Sequence, residues 1–340
     1  MNKFNLICAS LLILLASISD ANAQSVTQKK PDPTLAKQSA IKEIPMILQT
    51  PTGTLYGSLL LPAAKPRYPI VLIIAGSGPT DRNGNSPALS GSNNSLKMLA
   101  EGLAAQGIAS LRYDKRGIGE SSKAMGKEAD LIFADFIDDA VLWSKQLRQD
   151  KRFSTLTIVG HSEGSLIGMV AAQDKNADGF VSIAGAGRPA GQIIIEQVRK
   201  QLPPDLLKSA EENVALLTAG KNPTSVPVAL NALFRPSVQP YLISWFRFDP
   251  AQEIAKLSVP VLIAQGTTDI QVSVEQAKLL AKAKPPAQLL LVEGMNHVLK
   301  EVANERSTQI RSYSDPSLPI APQLITETAK FIKKIKKWKS

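Results

Sequence analysis

Residues 155–173 read TLTIVGHSEGSLIGMVAAQ. The first part is a short, continuous apolar run rich in β-branched residues, the signature of a strand covered on both faces. The last part, SLIGMVAAQ, reads as a helix. Between them stands Gly160-His161-Ser162-Glu163-Gly164, a G-x-S-x-G pentad. A pentad of this form is a weak signal alone, but a strand running into it and a helix leaving it make the setting of a nucleophile elbow. The physical reason lies in the turn. A serine lifted above a sheet edge sits on strained backbone, and bulky residues two positions to either side would clash. The helix that starts beneath it favours developing negative charge.

The same rhythm extends outward in both directions. Tyr68–Ala75 (YPIVLIIA), Ile108–Tyr113, Thr155–Gly160, Phe180–Ala184, Val259–Gln265 and Gln288–Val292 are apolar runs bounded by Gly or Pro. Helical patterns fall between them at Leu96–Gln106, Leu131–Leu147, Gly164–Gln173 and Val274–Ala283. Strand alternating with helix predicts an α/β fold with a mostly parallel twisted sheet flanked by helices. Residues 44–61, with Thr52-Gly53 as the turn, read as a leading antiparallel hairpin. The interval 190–250 breaks the alternation. It holds helical stretches (Gln192–Gln201, Leu206–Leu217), then Phe234, Tyr241, Trp245, Phe246 and Phe248, with no evident strand. It reads as a helical insertion between two sheet strands.

A serine hydroxyl needs a base to take its proton, and the base needs a partner that sets its tautomer. The chain has two histidines. His161 adjoins the serine and would normally point away from it, which leaves His297, in Gly294-Met295-Asn296-His297, on a loop after the strand QLLLV. Asp269, in Gly266-Thr267-Thr268-Asp269, follows the strand VLIAQ, at the carboxyl edge where α/β sheets bind ligands. Glu293 and Asp249 are weaker candidates for the acid. Catalytic candidates are thus Ser162, Asp269 and His297. Backbone donors for an oxyanion are expected from Glu163, the residue after the nucleophile, and from the loop Ala75-Gly76-Ser77-Gly78 after an early strand. Ser77 is the first choice there and Gly78 the second.

On these residues the chain resembles the α/β-hydrolase superfamily, in the serine-hydrolase branch that groups bacterial esterases and S33-type enzymes. AGSGPTDRNG (75–84), DKRGIGESS (114–122), GHSEG (160–164), GTTD (266–269) and GMNH (294–297) carry the resemblance. It implies the α/β-hydrolase fold, with residues 44–189 and 251–340 as core and residues 190–250 as a cap over the site. It also implies that Asp114 and Arg116, in a D-x-R-G-x-G turn, are structural. Many relatives have histidine before the oxyanion-loop glycine, where this chain has Ala75. The activity implied is hydrolysis of carboxylic esters of short to medium acyl chains through an acyl-enzyme on Ser162, as in carboxylesterases. An S33-type aminopeptidase, a thioesterase or an acyltransferase would use the same triad, and a non-catalytic binding protein could share the fold. No cofactor or metal is expected. The aromatic cluster 234–248 either lines an acyl pocket or forms the cap's own core, the latter being the favoured reading.

The whole chain sets further bounds. Asn2-Lys3, an apolar run from Leu6 to Ile18 and Ala21-Asn22-Ala23 predict an export signal over residues 1–23. Residues 24–43 read as a flexible leader, and a periplasmic or secreted protein is expected. The only cysteine, Cys8, lies inside the signal, so no disulfide or thiol chemistry is expected of the mature chain. The formal net charge of +10 survives removal of residues 1–23 and is concentrated at Lys330, Lys333, Lys334, Lys336, Lys337 and Lys339. Leu324, Thr328, Phe331, Ile335 and Trp338 form one helical stripe there, which reads as a terminal helix packed on the domain with a solvated basic face. Weak contact with anionic membrane surfaces is the alternative. No nucleic-acid partner is indicated; the expected partner is a small-molecule acyl ester.

Overall fold

The computed structural model of the protein describes residues 42–63, 67–199 and 201–336. The export signal, nearly all of the leader and the last four residues, Trp338 among them, lie outside the described residues. Eight strands form one sheet: β1 Lys42–Thr50, β2 Gly53–Leu61, β3 Tyr68–Ile74, β4 Ala109–Tyr113, β5 Phe153–His161, β6 Gly179–Ile183, β7 Val261–Gly266 and β8 Gln288–Val292. Their order is β1-β2-β4-β3-β5-β6-β7-β8. The β1/β2 and β2/β4 pairs are antiparallel and the rest are parallel. The fold is the expected α/β arrangement, with the leading hairpin at one edge. Strand β1 begins at Lys42, two residues inside the segment read as leader.

The continuous apolar runs are explained by two cores, one on each face of the sheet. On β3, Ile70, Leu72 and Ile74 enter one core while Val71 and Ile73 enter the other. Helices α1 (Ser95–Ala105) and α11 (Pro322–Lys334) cover the second face through Leu96, Leu99, Leu103, Leu324, Phe331 and Ile332. Helices α2 (Phe133–Gln149), α3 (Glu163–Ala171) and α9 (Val274–Ala283) cover the first through Phe133, Trp143, Ile167, Ala277 and Leu280. Each buried leucine, isoleucine or phenylalanine among them contributes about 1.5–3 kcal/mol. Strand β8 departs from the two-sided expectation. It is an edge strand, and Leu289 and Leu291 stay partly exposed to solvent.

Between β6 and β7 the chain forms α4 (Ala190–Val198), α5 (Pro204–Thr218), the single turn α6 (Asn231–Phe234), α7 (Gln239–Phe246) and α8 (Pro250–Ala255), with no strand among the described residues. Proline opens α5 and α8, where its missing N–H costs nothing. Aromatic side chains bind this segment to the core. Trp245 stacks on Phe133 at 5.7 Å, and Tyr241 meets Phe133 and Phe136 edge-on. A short helix, α10 (Arg306–Ser312), precedes α11. On α11, Leu324, Thr328 and Phe331 are buried, as is Ile335 just past its end, while Lys330, Lys333 and Lys334 face out.

The parallel register sets Ile74 beside Gly160, His161 beside Ile183, and Gly266 beside Val292. The carboxyl ends of β3, β5, β6, β7 and β8 therefore finish along one rim. The loops carrying Ser77, Ser162, Asp269 and His297 all leave from it.

Candidate active site

Ser162 sits between β5 and α3 with φ 55° and ψ −122°, a left-handed conformation rarely held by a residue with a side chain. The surrounding backbone enforces it. The Ser162 amide donates to the Ile183 carbonyl at 2.9 Å, and its carbonyl receives the Ser165 amide at 2.9 Å. The flanking glycines are required by close approach. A Cβ on Gly160 would run into the Gly164 carbonyl, and one on Gly164 would lie 2.7 Å from the Ala75 oxygen and closer still to that of Ile74. The elbow is thus wedged between β3 and β5, leaving the serine side chain at the rim.

His297 is 5 % exposed, and its Nδ1 lies 2.8 Å from Asp269 Oδ2. Asp269 Oδ1 accepts the amides of Gln271 (2.8 Å) and Val272 (2.9 Å), and Oδ2 also accepts Gln265 Nε2 at 3.1 Å. Burial, the largest single influence, pushes the Asp269 pKa up, but His297 and these hydrogen bonds together hold it below the usual carboxylate value. An ionised carboxylate can only accept, so His297 Nδ1 carries the proton and Nε2 is left as the basic nitrogen. Of the other acids weighed, Asp249 caps α8 through the Ala251 amide at 3.0 Å, and Glu293 is exposed.

Ser162 and His297 line one cavity together with Gly76, Ser77 and Tyr313. Among the described residues the Ser162 hydroxyl makes no hydrogen bond. Catalytic contacts of this kind are commonly long without substrate and tighten when it binds.

His161 has a part that sequence adjacency did not suggest. Its Nε2 donates to the His297 carbonyl at 2.8 Å, and the two rings lie 4.9 Å apart. Burial, and then the neighbouring His297, push its pKa down to about 3, so the ring is a neutral donor that anchors the loop of His297.

The amides of Ser77 and Glu163 make no loop or cap hydrogen bond among the described residues. Glu163 opens α3, so its N–H has no intrahelical acceptor. Gly76 brings the first loop against the elbow, since a Cβ there would sit 3.0 Å from Ser162 Cβ.

Beneath these donors lies a buried polar network that sequence reading missed. Lys115 Nζ donates to Glu163 Oε1 at 2.9 Å and to the Gly76 carbonyl at 2.7 Å, and Tyr241 donates to Glu163 Oε2 at 3.0 Å. Lys115 also lies over the Phe136 ring at 5.0 Å. Both loops of the candidate oxyanion site are tied in this way to α7 of the inserted segment. Only an unusual lysine inside D-x-R-G and an acid after the serine could have hinted at it. Asp114 and Arg116 lie outside the cavity. Asp114 accepts the Arg82 and Glu120 amides at 2.8 and 3.0 Å, and Arg116 pairs with buried Asp139 through two hydrogen bonds.

A second cavity is also lined by Ser162. It is mainly apolar, with Leu166, Ala190, Ile193, Ile194, Trp245 and Val272 among its lining residues, and its empty space including the mouth is about 650 Å³. Trp245 therefore serves it, while Phe234, Tyr241 and Phe246 are buried in the core. Among the described residues no cluster of His, Cys, Asp or Glu is arranged to hold a metal ion.

The chain has the α/β-hydrolase fold. Residues 90–225 match the sequence model of the family described as serine aminopeptidase, S33. Esterase EstD of Thermotoga maritima is 27 % identical over 246 residues, which span 72 % of this chain and 57 % of that relative. The chain thus spans little more than half the length of the curated relative it matches. Among solved structures, Est1E from Butyrivibrio proteoclasticus superposes with a TM-score of 0.54 at 18 % identity, covering 84 % of this chain and 96 % of that one. The α/β-hydrolase GrgF from Penicillium sp. sh18 gives 0.56 at 19 % identity, covering 88 % and 100 %.

Proposed function

We propose that the protein hydrolyses carboxylic esters through an acyl-enzyme on Ser162. The observation that carries this reading is the 2.8 Å Asp269–His297 bond, which leaves His297 Nε2 basic in the cavity that Ser162 lines. His297 Nε2 takes the Ser162 proton as Oγ attacks the acyl carbon and the carbonyl becomes an oxyanion. The Ser77 and Glu163 amides receive that charge. Collapse expels the alcohol, which leaves with the proton now on His297. Water then enters, gives a proton to His297, and releases the acid while Ser162 regains its hydrogen. Kinship with an esterase and a mainly apolar cavity beside Ser162 support esters of short to medium acyl chains.

The S33 match raises aminopeptidase action as a second reading. A free peptide N-terminus needs an unengaged carboxylate near the serine. Glu163 is held by Lys115 and Tyr241, and Glu196 by Arg188, which favours esters. Residues 1–23 support export to the periplasm or beyond, so the purified mature protein should begin at Gln24 by N-terminal sequencing. The exposed lysines of α11 leave a weak membrane contact open to one assay. Deletion of residues 330–340 should abolish partition onto anionic vesicles if the contact exists, and an unchanged partition ends that reading.

The test of the main proposal is labelling with a fluorophosphonate together with a p-nitrophenyl ester series of rising acyl length. Covalent capture is expected at Ser162, absent in Ser162→Ala and severely reduced in His297→Ala. A labelled serine with no ester turnover, but release of amino acids from peptides, would replace the esterase reading with the peptidase one.

A further inference from the structure

The two cavities that meet at Ser162 differ in the hydroxyls that line them, and only one of them contains His297. That asymmetry assigns the two halves of an ester. The imidazole that takes the serine proton must later deliver it to the leaving oxygen, so that oxygen lies within hydrogen-bond reach of His297. With the oxyanion at the Ser77 and Glu163 amides, the alcohol half occupies the His297 side and the acyl half the apolar side.

The His297 side is built for a particular kind of alcohol. Thr80, Ser86, Ser95 and Tyr313 line it with Ser77, beside Leu89 and Val298, and among the described residues no Asp, Glu, Lys or Arg does. Its empty space including the mouth is about 480 Å³. Ser86, Ser95 and Tyr313 are each at least nine-tenths buried. The Tyr313 hydroxyl accepts Gln271 Nε2 at 2.8 Å, and Ser86 Oγ accepts the Ala88 amide at 3.3 Å. Among the described residues neither of these hydroxyl protons has an acceptor, and the Ser77 and Ser95 hydroxyls have no partner at all. Burial raises the Tyr313 pKa, so the phenol keeps its proton as a donor. Buried hydroxyls without partners cost free energy unless a ligand or water completes them.

We propose that this pocket is the leaving-group subsite, and that it takes a neutral, polyhydroxylated alcohol of glycerol to monosaccharide size. A cationic alcohol would find no carboxylate there and an anionic one no cation. An alkyl alcohol would leave the hydroxyls unsatisfied. The inference rests on the esterase reading above and adds which alcohol is released.

The experiment holds the acyl group constant as butanoate and varies the alcohol on the purified protein: glycerol, methyl glucoside, hexanol, choline and p-nitrophenol. The glycerol or glucoside ester is expected to exceed the hexyl and choline esters at least tenfold in kcat/KM. Tyr313→Phe and Ser95→Ala are each expected to lower the ratio of polyol-ester to p-nitrophenyl-ester kcat/KM about tenfold, the worth of one good neutral hydrogen bond. Two variants on different elements guard against one misfolding. Equal or better turnover of the hexyl ester, or an unmoved ratio in both variants, overturns the subsite while p-nitrophenyl butanoate hydrolysis leaves the esterase reading standing. No hydrolysis of any ester overturns both.

Discussion

Replacing Lys115 by methionine, which keeps length and removes charge, isolates the network under the candidate oxyanion site. In the wild type the ammonium is 2 % exposed and its carboxylate partner Glu163 3 %. Removing it deprives Glu163 Oε1 of its 2.9 Å donor and the Gly76 carbonyl of its 2.7 Å donor, leaving Tyr241 as the remaining side-chain donor to that carboxylate. Breaking one partner of a buried pair costs about 3–5 kcal/mol, because the survivor is left charged and unpaired. An exposed pair such as Lys330–Glu327 is worth at most about 1 kcal/mol. Lys115→Met should therefore lower unfolding free energy in urea by about 3–5 kcal/mol. Adding Glu163→Gln removes the stranded charge, so the double variant should be more stable than the sum of the singles predicts, by about 0.5–3 kcal/mol. Catalysis should suffer separately, since the same lysine holds both loops whose amides the proposed mechanism assigns to the oxyanion. Misplacing a reacting group by about 1 Å costs on the order of a hundredfold, so kcat on p-nitrophenyl butanoate should fall about ten- to a hundredfold with a smaller change in KM. A loss below about 1 kcal/mol in Lys115→Met, or strict additivity with Glu163→Gln, would refute the reasoning.

His161 should make the protein acid-sensitive. Its folded pKa is pushed down to about 3, so between pH 6.5 and 3 the unfolded chain binds the extra proton and stability falls as pH falls, at about 1.4 kcal/mol per unit. Roughly 2 kcal/mol should disappear between pH 6.5 and 5. Asp269, whose pKa is lowered below 3.8, adds its loss only at lower pH. In His161→Gln the slope over pH 5–6.5 should flatten in denaturant melts, and an unchanged slope would show that the ring titrates freely. Gly164→Ala puts a methyl 2.7 Å from the Ala75 oxygen. A cost at or above the upper end of about 1–3 kcal/mol is expected by calorimetry, together with loss of fluorophosphonate labelling. Trp245→Ala enlarges the apolar cavity, so the preferred acyl length should shift upward in the p-nitrophenyl series; a fixed optimum would place the acyl chain elsewhere.

Much of the fold was legible because its signals are local. Runs such as YPIVLII announce a strand covered on both faces, and their alternation with amphipathic stretches leaves few topologies besides a parallel α/β sheet. The pentad told its own story, since Gly160 and Gly164 are demanded by backbone contacts within one turn and its neighbouring strand. Elimination between two histidines pointed to His297 and position after β7 to Asp269, and the fold joins these two by a hydrogen bond. Strand β8 was misread as covered on both faces because QLLLV carries no mark of an edge position.

What sequence determined, then, was a set of strands, an elbow and three side chains in order along the chain. The tertiary fold decided which distant groups meet: His161 on the His297 carbonyl, Lys115 on Glu163, Tyr241 from the inserted segment on the same carboxylate. It also decided that an apolar hollow and one lined by several hydroxyls should both reach Ser162. The physical reason is separation. Strand and helix patterns repeat within a few residues and are written where they act. A buried ion pair spanning 48 positions, or a pocket assembled from five loops, exists only after the sheet has brought their ends to one rim.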